Sequence, residues 1–394
     1  MLDSFQTADP TRTFGEKLTI KKVMEDSYEK LKKNPLDDHS LNAELYNTIA
    51  EAFFGMTSVD LASQAVNHGL EEIEKSPSLD PIVHVKLLIG RAKGYSARKD
   101  YLVALQSLEV ALTICKKNKL LEVCPVDEIY LYMAENQHNN GNMLIAKKHI
   151  NKSLKWMQTR NIGGLRYALK LLFMAVLENS IQQPEEALIH LAELRSIISL
   201  KSKEESYYYL EAELRAGEAL IKLEKYNEAE VKISKSIELL ELNFGKINGL
   251  YTYALSTKGL LYVGLGKYDD SINLFKENIQ IKKLLKINYA FDYNKMGNIY
   301  YHKIQDYELA LRNYSEAVRL DGLSKSNSTS ESGFYKRNLG FAYYKNNDNV
   351  LALKYLKESK VIFESLIDRS NYPVTLKGLN EWVEYFEQVA LEKK

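Results

Sequence analysis

A short pattern that returns about every 42 residues constrains this chain more than any other feature. Each copy has a turn, an aromatic or apolar residue, two mixed residues and then Ala or Ser, as in Lys225-Tyr226-Asn227-Glu228-Ala229. The closing residues are 41 or 42 positions apart, with one interval of 39, and are Ala62, Ala104, Ala146, Ala187, Ala229, Ser271, Ala310 and Ala352. A period held over seven intervals indicates a repeat array.

A second small residue precedes each closing residue by twelve positions in seven of the eight copies. In the seventh copy that position is Asn298, with Gly297 beside it, which predicts one inserted residue between two helices. Larger residues follow at spacings of three and four, as expected for one face of a helix. The pattern therefore predicts antiparallel helix pairs whose small residues permit close approach, namely Ala50, Ala92, Ala134, Ala175, Gly217, Gly259 and Gly340.

Composition excludes several classes of protein. The 394 residues include only 7 Pro and 19 Gly, which is little turn punctuation for a chain rich in strands. The 53 Lys and Arg nearly balance the 52 Asp and Glu, so no basic excess suggests nucleic-acid binding. The most apolar stretch, Leu169 to Leu177, is nine residues long, against the ~20 that span a bilayer. With no secretion signal after Met1, we expect a cytoplasmic protein without membrane contact.

No pattern in the sequence predicts catalysis. The seven His are scattered without zinc-protease spacing, and neither a nucleophile elbow nor a phosphate-binding loop occurs. The two cysteines, Cys115 and Cys124, suit neither a disulfide framework nor a zinc site, and we interpret them as buried, inert thiols in a reducing compartment. We therefore expect no catalytic residues, no metal and no cofactor, and conclude that the chain is not an enzyme.

The repeat resembles the tetratricopeptide family, whose usual unit is 34 residues. The longer period implies helices about a turn longer, as in kinesin light chains, and most copies lack the family's Trp and closing Pro. The resemblance implies an all-α, right-handed α-solenoid of about eight antiparallel helix pairs over residues 40–370, with capping segments at 1–39 and 371–394. A HEAT or armadillo solenoid is the alternative, and the turn Gly266 to Ser271 argues against it.

Three further segments carry predictions. Leu376 to Leu391 is predicted to be a capping helix, with ligand binding through Trp382 as the lesser alternative. The Ser- and Asn-rich segment Asp321 to Ser332 is predicted to be a flexible loop between two repeats. Near the start, Thr19 is a plausible N-cap for a helix from Ile20 to Lys33.

The lead before that helix resembles the junction that follows the kinase domain in many bacterial serine/threonine protein kinases. The resemblance rests on Ala8-Asp9-Pro10, Gly15 and Leu18-Thr19. It implies that the array is the regulatory part of a longer signalling protein, although the chain has none of the catalytic motifs of a kinase.

Peptide-binding residues are predicted on the concave face of the array, beside the small packing residues of the first helices. Asn amides pair with peptide backbone, Arg grips carboxylates in two-point fashion, and aromatic rings supply contact area. In the last two repeats this selects Asn294, Asn298, Tyr301, Arg337, Phe341 and Tyr344.

The main functional hypothesis is a non-catalytic scaffold that binds a protein or peptide as the regulatory or sensory region of a bacterial signalling protein. The alternative is a stand-alone peptide receptor of the quorum-sensing type. Those receptors usually carry an N-terminal DNA-binding or three-helix output domain, and residues 1–40 are short for either. An unrecognised enzyme is a third reading. The sequence does not predict the oligomeric state.

Overall fold

The computed structural model describes residues 20–75, 80–198, 203–323, 330–365 and 373–392. Within these ranges the chain forms eighteen α-helices and one π-helical turn, and no strand, which confirms the predicted all-α class. None of the described helices combines the length and apolar character that a bilayer crossing requires. Backbone contacts divide the chain into two compact units, which we call unit one (Met1–Asn139) and unit two (Asn140–Lys394).

In unit one, an Asp residue caps the N-terminus of several helices. The carboxylates of Asp38, Asp80 and Asp100 accept hydrogen bonds from backbone N–H groups that a helix start leaves free. Asp100 belongs to the repeated turn motif, so the motif itself sets a helix boundary. The helices of unit one are α1 (Ile20–Lys33), α2 (His39–Gly55), α3 (Val59–Lys75), α4 (Pro81–Ala97), α5 (Tyr101–Lys117) and α6 (Val126–Asn139).

Unit two continues the alternation of helices and short turns. Its helices are α7 (Met143–Gln158), α8 (Leu165–Ser180), α9 (Pro184–Ile197), α10 (Lys203–Lys222), α11 (Tyr226–Phe244), α12 (Gly249–Gly264), α13 (Tyr268–Leu285), α14 (Ala290–Ile299), α15 (Tyr307–Leu323), α16 (Ser330–Lys345), α17 (Asn349–Ser365) and α18 (Pro373–Glu392).

The small residues of the repeat lie where paired helices touch, as predicted. A Cβ atom added to Gly217 would come within 2.6 Å of Ile233, and one on Gly259 within 2.8 Å of Phe275. Both distances are too short for a real Cβ contact, so only glycine permits this separation of the helices. The closing residue Ala229 is fully buried beside them.

The first helices of successive pairs also contact one another. In unit one, α2 contacts α4 and α4 contacts α6; in unit two, α8 contacts α10 and α10 contacts α12. Hydrogen bonds extend this arrangement, since Ser256 of α12 donates to Asp292 of α14 at 3.3 Å. The buried Asp292 also accepts from Asn278 at 2.8 Å and pairs with Lys282 at 2.7 Å. We call α8, α10, α12, α14 and α16 the first-helix row of unit two.

A π-helical turn accommodates the predicted insertion in the seventh copy. Gly297 is the packing residue, because a Cβ there would lie 2.6 Å from the Tyr314 ring. The helix then widens into a π-helical turn at Tyr300–Ile304 and ends at Gln305, whose φ is 63°. A π-turn takes up one extra residue, so the extra residue lies at the end of the first helix and not between the two helices, where it was predicted.

The prediction of two free thiols is wrong, because Cys115 and Cys124 form a disulfide. Leu120 donates its backbone N–H to the Cys115 carbonyl, and Cys124 donates to Leu120, each at 2.9 Å. These two tight turns bring the Cα atoms of the cysteines to 6.1 Å, within the range of disulfides. Sequence spacing could not show how closely the chain folds back after α5. Free thiols were the reason for expecting a reducing compartment, so the disulfide removes that reason.

The predicted loop from Asp321 to Ser332 is also wrong at both ends. Helix α15 continues to Leu323 and α16 begins at Ser330, so Asp321 and Ser332 are helical and buried. Their burial explains the error, because polar residues that pack inside helices resemble a loop in sequence. Residues 324–329 lie outside the described part of the chain.

Helices flank the pairs at both ends of the described chain. In α1, Tyr28 is buried against Tyr46 and Phe53. In α18, Leu379, Val383 and Phe386 are buried on α17, against side chains such as Leu356. The helix predicted from Ile20 to Lys33 is present, whereas Thr19 and the kinase-like junction lie outside the described residues.

Candidate functional site in unit two

The six predicted groove residues lie on two first helices, α14 and α16, and in the π-turn that follows α14. Asn294 and Asn298 lie on α14, Tyr301 lies in the π-turn, and the other three lie on α16. Their contacts divide them into two groups. The asparagines and Arg337 share one hydrogen-bond network, whereas Phe341 and Tyr344 pack on Trp382 of α18.

Three asparagine amides connect α14 and α16. Asn338 donates from Nδ2 to the Oδ1 of Asn294 at 3.0 Å and to that of Asn298 at 3.3 Å. The Tyr314 hydroxyl donates to the same Asn298 oxygen at 2.8 Å. The acceptor of Asn298 is therefore occupied, while its Nδ2 has no hydrogen bond to any described residue. An amide N–H held in this way is available to a carbonyl of a ligand.

Arg337 is a half-buried cation that neutral groups hold in place. Its Nη2 donates to the Asn338 Oδ1 at 3.2 Å, and its guanidinium carbon lies 4.8 Å from the centre of the Phe334 ring. None of the carboxylates in the described ranges comes within 4 Å of it to form an ion pair. Burial lowers the pKa of the Arg337 guanidinium, against a smaller opposite effect of Tyr314, and the group stays charged.

A cleft beside this network has basic walls. Its volume is about 390 Å³, and Leu260 and Val263 of α12 form its apolar side. The polar lining consists of Lys295, Asn298, His302 and Lys303 from α14 and the π-turn. We call this space the basic cleft.

Burial and nearby positive charges act on the groups of the basic cleft. Burial, and then the Lys222 charge, lower the pKa of Lys295, while carboxylates at Glu218 and Glu331 oppose the change. Burial also lowers the pKa of His302, and Lys303 and Arg337 lower it further. Neither lysine has an ion-pair partner within 4 Å among the described residues. Lys295 is partly buried without gaining a carboxylate, whereas Lys303 is exposed. A partly desolvated, unpaired ammonium favours an anionic ligand.

Tyr301 makes contacts with neighbouring aromatic rings. Its ring lies 4.7 Å from His302 and 5.4 Å from Tyr307, measured between ring centres. Burial raises the pKa of Tyr301, so its hydroxyl stays protonated at neutral pH.

The second group of predicted residues surrounds an aromatic hollow. Phe341 and Tyr344 lie 5.5 Å and 5.4 Å from the Trp382 ring, and Tyr385 lies 5.8 Å from it. Tyr344, Glu381, Trp382 and Tyr385 line a hollow of about 470 Å³. We call this space the aromatic hollow.

The sequence analysis missed Lys295 and Asn338, and both occupy the same place in their repeats. Each stands two residues before a small packing residue, Gly297 or Gly340. The prediction considered only offsets of minus three, plus one and plus four. Offset minus two faces the neighbouring first helix, as the bond from Asn338 to Asn294 illustrates. His302 and Lys303 lie in the π-turn and come after the last offset that the prediction considered.

No cluster of three or more His, Cys, Asp or Glu side chains that could hold a metal ion occurs in the described ranges. The site consists of hydrogen-bond donors, cations and aromatic rings. Such groups bind and orient a ligand.

No protein-family model matches the sequence, and no curated protein sequence matches it. Solved structures do. The chain is similar to the apo form of the quorum sensor NprR from B. thuringiensis, with a TM-score of 0.63, 14% identity and coverage of 91% of this chain and 96% of that one. It is similar to a Rap protein complexed with competence and sporulation factor, with a TM-score of 0.54, 13% identity and coverage of 100% and 98%.

The same comparison finds a human protein with a different ligand. The IFIT1 dimer with m7Gppp-AAAA is 12% identical, with a TM-score of 0.52 and coverage of 98% of this chain and 80% of that one. Similarities at these identities show the fold, an α-solenoid of tetratricopeptide type. Because such a fold hosts unrelated ligands, function has to be argued from the site.

Proposed function

We propose that this chain is a non-catalytic receptor whose unit two binds an extended peptide along α12, α14 and α16. The observation that carries the proposal is Arg337, a half-buried guanidinium without a carboxylate partner in the described chain, beside the free Nδ2 of Asn298. A soluble ligand that brings a carboxylate and a row of backbone carbonyls would satisfy both groups.

The amide network favours a peptide over other anions. Asn298 is fixed by two hydrogen bonds to its oxygen, so its Nδ2 points in one direction without further loss of side-chain freedom. A fixed amide donor is suited to a backbone carbonyl, which every residue of an extended peptide supplies. A capped RNA is disfavoured, because the chain has a formal net charge of only +1 and carboxylates at Glu218 and Glu331 act on Lys295.

Two biological settings fit a peptide receptor. The first is the regulatory or sensory region of a bacterial signalling protein, to which the kinase-like junction would attach the array. The second is a stand-alone peptide sensor of the quorum-sensing type. Similarity to NprR and to the Rap protein, over nearly the full length of each, supports the second. The cytoplasmic location expected from the sequence remains part of this proposal.

A selection from a randomised heptapeptide library on the immobilised full chain tests the proposal. The informative variant is Asn298→Asp, because an Asp oxygen still accepts from Tyr314 and Asn338 while the Nδ2 donor is lost. Its carboxylate also supplies the anion that the basic cleft lacks, so both changes should weaken the binding of a peptide carboxylate. We expect wild type to enrich a consistent set of peptides that Asn298→Asp and Arg337→Met bind at least tenfold more weakly.

The matched control is Arg312→Met, which removes an exposed arginine of α15 that already pairs with Glu308. It should retain the wild-type peptides with unchanged affinity. If wild type enriches no peptide, or if all three variants retain the same peptides equally, the assignment of the site to α14 and α16 is wrong.

A further inference from the structure

We propose that two copies of this chain associate through α7 and α9, with the basic face of α7 in one copy packed on the acidic face of α9 in the other. These are the second helices of two successive pairs in unit two. The surface is therefore separate from the peptide site on α12, α14 and α16, and the inference goes beyond the function proposed above.

Helix α7 exposes a basic face. Its sequence contains four lysines and no acidic residue. Lys148 and Lys155 are exposed, and neither forms an ion pair with a carboxylate in the described chain. Leu144, which is 45% exposed, precedes Lys148 by four positions. These three residues share the side of the helix opposite the buried Ala146.

Helix α9 exposes an acidic face. Glu185 and Glu186 are exposed, and neither has an ion-pair partner in the described ranges. About one turn further along the helix, Ile189 is 66% exposed. The one arginine of α9, Arg195, is already paired with Glu213 of α10 at 2.9 Å. The negative charge of this face is therefore not neutralised by the cation on the same helix.

The two helices are neighbours that contact one residue of α8. The buried carboxylate of Glu178 lies 2.9 Å from the Lys147 ammonium of α7 and 2.7 Å from the Nδ1 of His190 in α9. Lys147 also donates to Gln183, the residue before α9, at 2.5 Å. Short turns connect α7 to α8 and α8 to α9, so α7 and α9 run in the same direction. The basic and acidic faces therefore lie side by side.

A second copy of the chain is the partner that this pair of faces fits. Most homodimers have a twofold axis, so that each contact occurs twice. An axis that runs parallel to the helices, between α7 and α9, places α7 of each copy on α9 of the other. Both contacts then join opposite charges and cover Leu144 and Ile189. An axis perpendicular to the helices would place α7 on α7 and oppose like charges, which is unfavourable.

The area of this surface predicts a weak dimer. Helix α7 has 16 residues and α9 has 14, so they are about 21–24 Å long. Two helices about 10 Å apart present a face about 20 Å wide. Each copy would bury about 400–500 Å², and both together about 800–1,000 Å², just below the ~1,200 Å² at which stable interfaces begin. The dimer should therefore be reversible and sensitive to charge.

Sedimentation equilibrium of the full chain, over a range of protein concentrations, measures the association. Wild type should form a dimer that weakens at least about tenfold between about 50 mM and 500 mM salt. Lys148→Glu/Lys155→Glu, the acidic variant, makes both faces acidic. Glu185→Lys/Glu186→Lys, the basic variant, makes both faces basic. Each variant alone should associate at least about tenfold more weakly than wild type.

Two combinations of these changes test the arrangement of the helices. A mixture of the acidic and basic variants should form a one-to-one heterodimer, because each α7 then faces an α9 of opposite charge. The chain that carries all four substitutions should form the homodimer again. If charge reversal weakens the dimer and the four substitutions together do not restore it, α7 does not pack on α9.

The matched controls make the same charge changes on the exposed sides of α11 and α13. Lys235→Glu/Lys276→Glu has the net charge of the acidic variant and should dimerise like wild type. Glu238→Lys/Glu277→Lys has the net charge of the basic variant and should form no more heterodimer with the acidic variant than wild type does. Circular dichroism verifies the helical content of each variant. A wild type that stays monomeric at all concentrations, or a dimer that none of the changes on α7 and α9 weakens, would overturn the proposal.

Discussion

Each unit has a partly buried cation on a first helix, and the two cations differ in their partners. In unit one, Lys93 of α4 donates to both carboxylate oxygens of Glu51, at 2.8 and 2.9 Å. The rings of Phe54 and Tyr132 lie 5.7 Å and 5.2 Å from its ammonium. In unit two, Arg337 is also half-buried, but among the described residues it contacts an amide oxygen and a ring and no carboxylate.

A cation with a carboxylate partner on a neighbouring helix stabilises the packing of the helices, whereas a cation without such a partner is suited to bind a ligand. Lys93 connects α4 to Glu51 of α2 and lies over Tyr132 of α6, so its charge is satisfied inside the protein. Arg337 is desolvated without the compensation of an opposite charge, which is the pattern that often marks a functional group. Perturbation of paired groups should therefore change stability, and perturbation of Arg337 should change binding.

The largest effect on stability is expected at the buried ion pair of Asp292 and Lys282. In this pair of unit two the cation has a carboxylate partner, which Arg337 lacks in the described chain. Asp292→Ala should lower the free energy of unfolding by about 3–5 kcal/mol, because Lys282 is left buried without its partner. Urea unfolding of the full chain measures it. Asp292→Asn, which keeps an acceptor for Asn278 and Ser256, should lose less. If Asp292→Ala lowered the free energy of unfolding by less than about 1 kcal/mol, the expectation that paired cations stabilise the fold would be wrong.

The next effect concerns acid unfolding and Glu72 of unit one. Burial alone would raise the pKa of Glu72, but hydrogen bonds from Lys75, His39 and Asn42 outweigh it and lower the pKa to about 2. Since the folded pKa lies below the ordinary value of 4.5, the stabilisation is complete above about pH 4.5 and is lost as the pH falls towards 2.

The comparison that isolates this group is urea unfolding of wild type and Glu72→Gln at pH 7 and pH 3. The variant should have a lower free energy of unfolding than wild type at pH 7, and the difference between the two proteins should be smaller at pH 3. A gap that stays constant between these pH values would assign the effect of the mutation to packing.

A smaller effect is expected for Glu51→Gln. Glu51 is an exposed partner, so the loss of its charge should lower the free energy of unfolding by about 0.2–1 kcal/mol. Because Lys93 lies in unit one, the affinity for the selected peptides should stay unchanged. Thermal unfolding and calorimetry on the same preparation give both values, and a drop in peptide affinity would contradict the division between the units.

The smallest effect on stability is expected for Arg337→Met. The change removes a half-buried charge that has no carboxylate partner in the described chain, so the free energy of unfolding should change by less than about 0.5 kcal/mol. Peptide affinity should fall at least tenfold in the same variant. A large loss of stability would assign Arg337 to the structure and remove the basis of its contrast with Lys93.

The helices could be predicted from the sequence because small residues recur at positions that physical contact requires. Gly217 packs its backbone against Ile233, and Gly259 packs its backbone against Phe275. Because the same close contact recurs in each helix pair, small residues recur in the sequence with the period of the repeat. The disulfide could not be predicted, since it depends on two turns after α5 that bear no repeat signature.

The site was predictable only in part. Offsets from a packing glycine locate Asn298 and Arg337, because a helix fixes which positions share a face. They do not reveal that Asn338 joins them, or that Phe341 and Tyr344 contact Trp382, because those contacts depend on how neighbouring repeats stack. Nor does composition show which cations lack partners, since Lys93 and Arg337 look alike in sequence.

The π-helical turn at Tyr300–Ile304 confines an insertion to a single helical turn. One extra residue in a regular helix would rotate everything after it by about 100°, and Ala310 and Tyr314 would leave their contacts. Both remain buried. The π-helical turn therefore takes up the extra residue without disturbing the packing of α15, and it contains two residues of the cleft, His302 and Lys303. Repeat proteins of this kind can diverge by single insertions, besides the duplication of whole units.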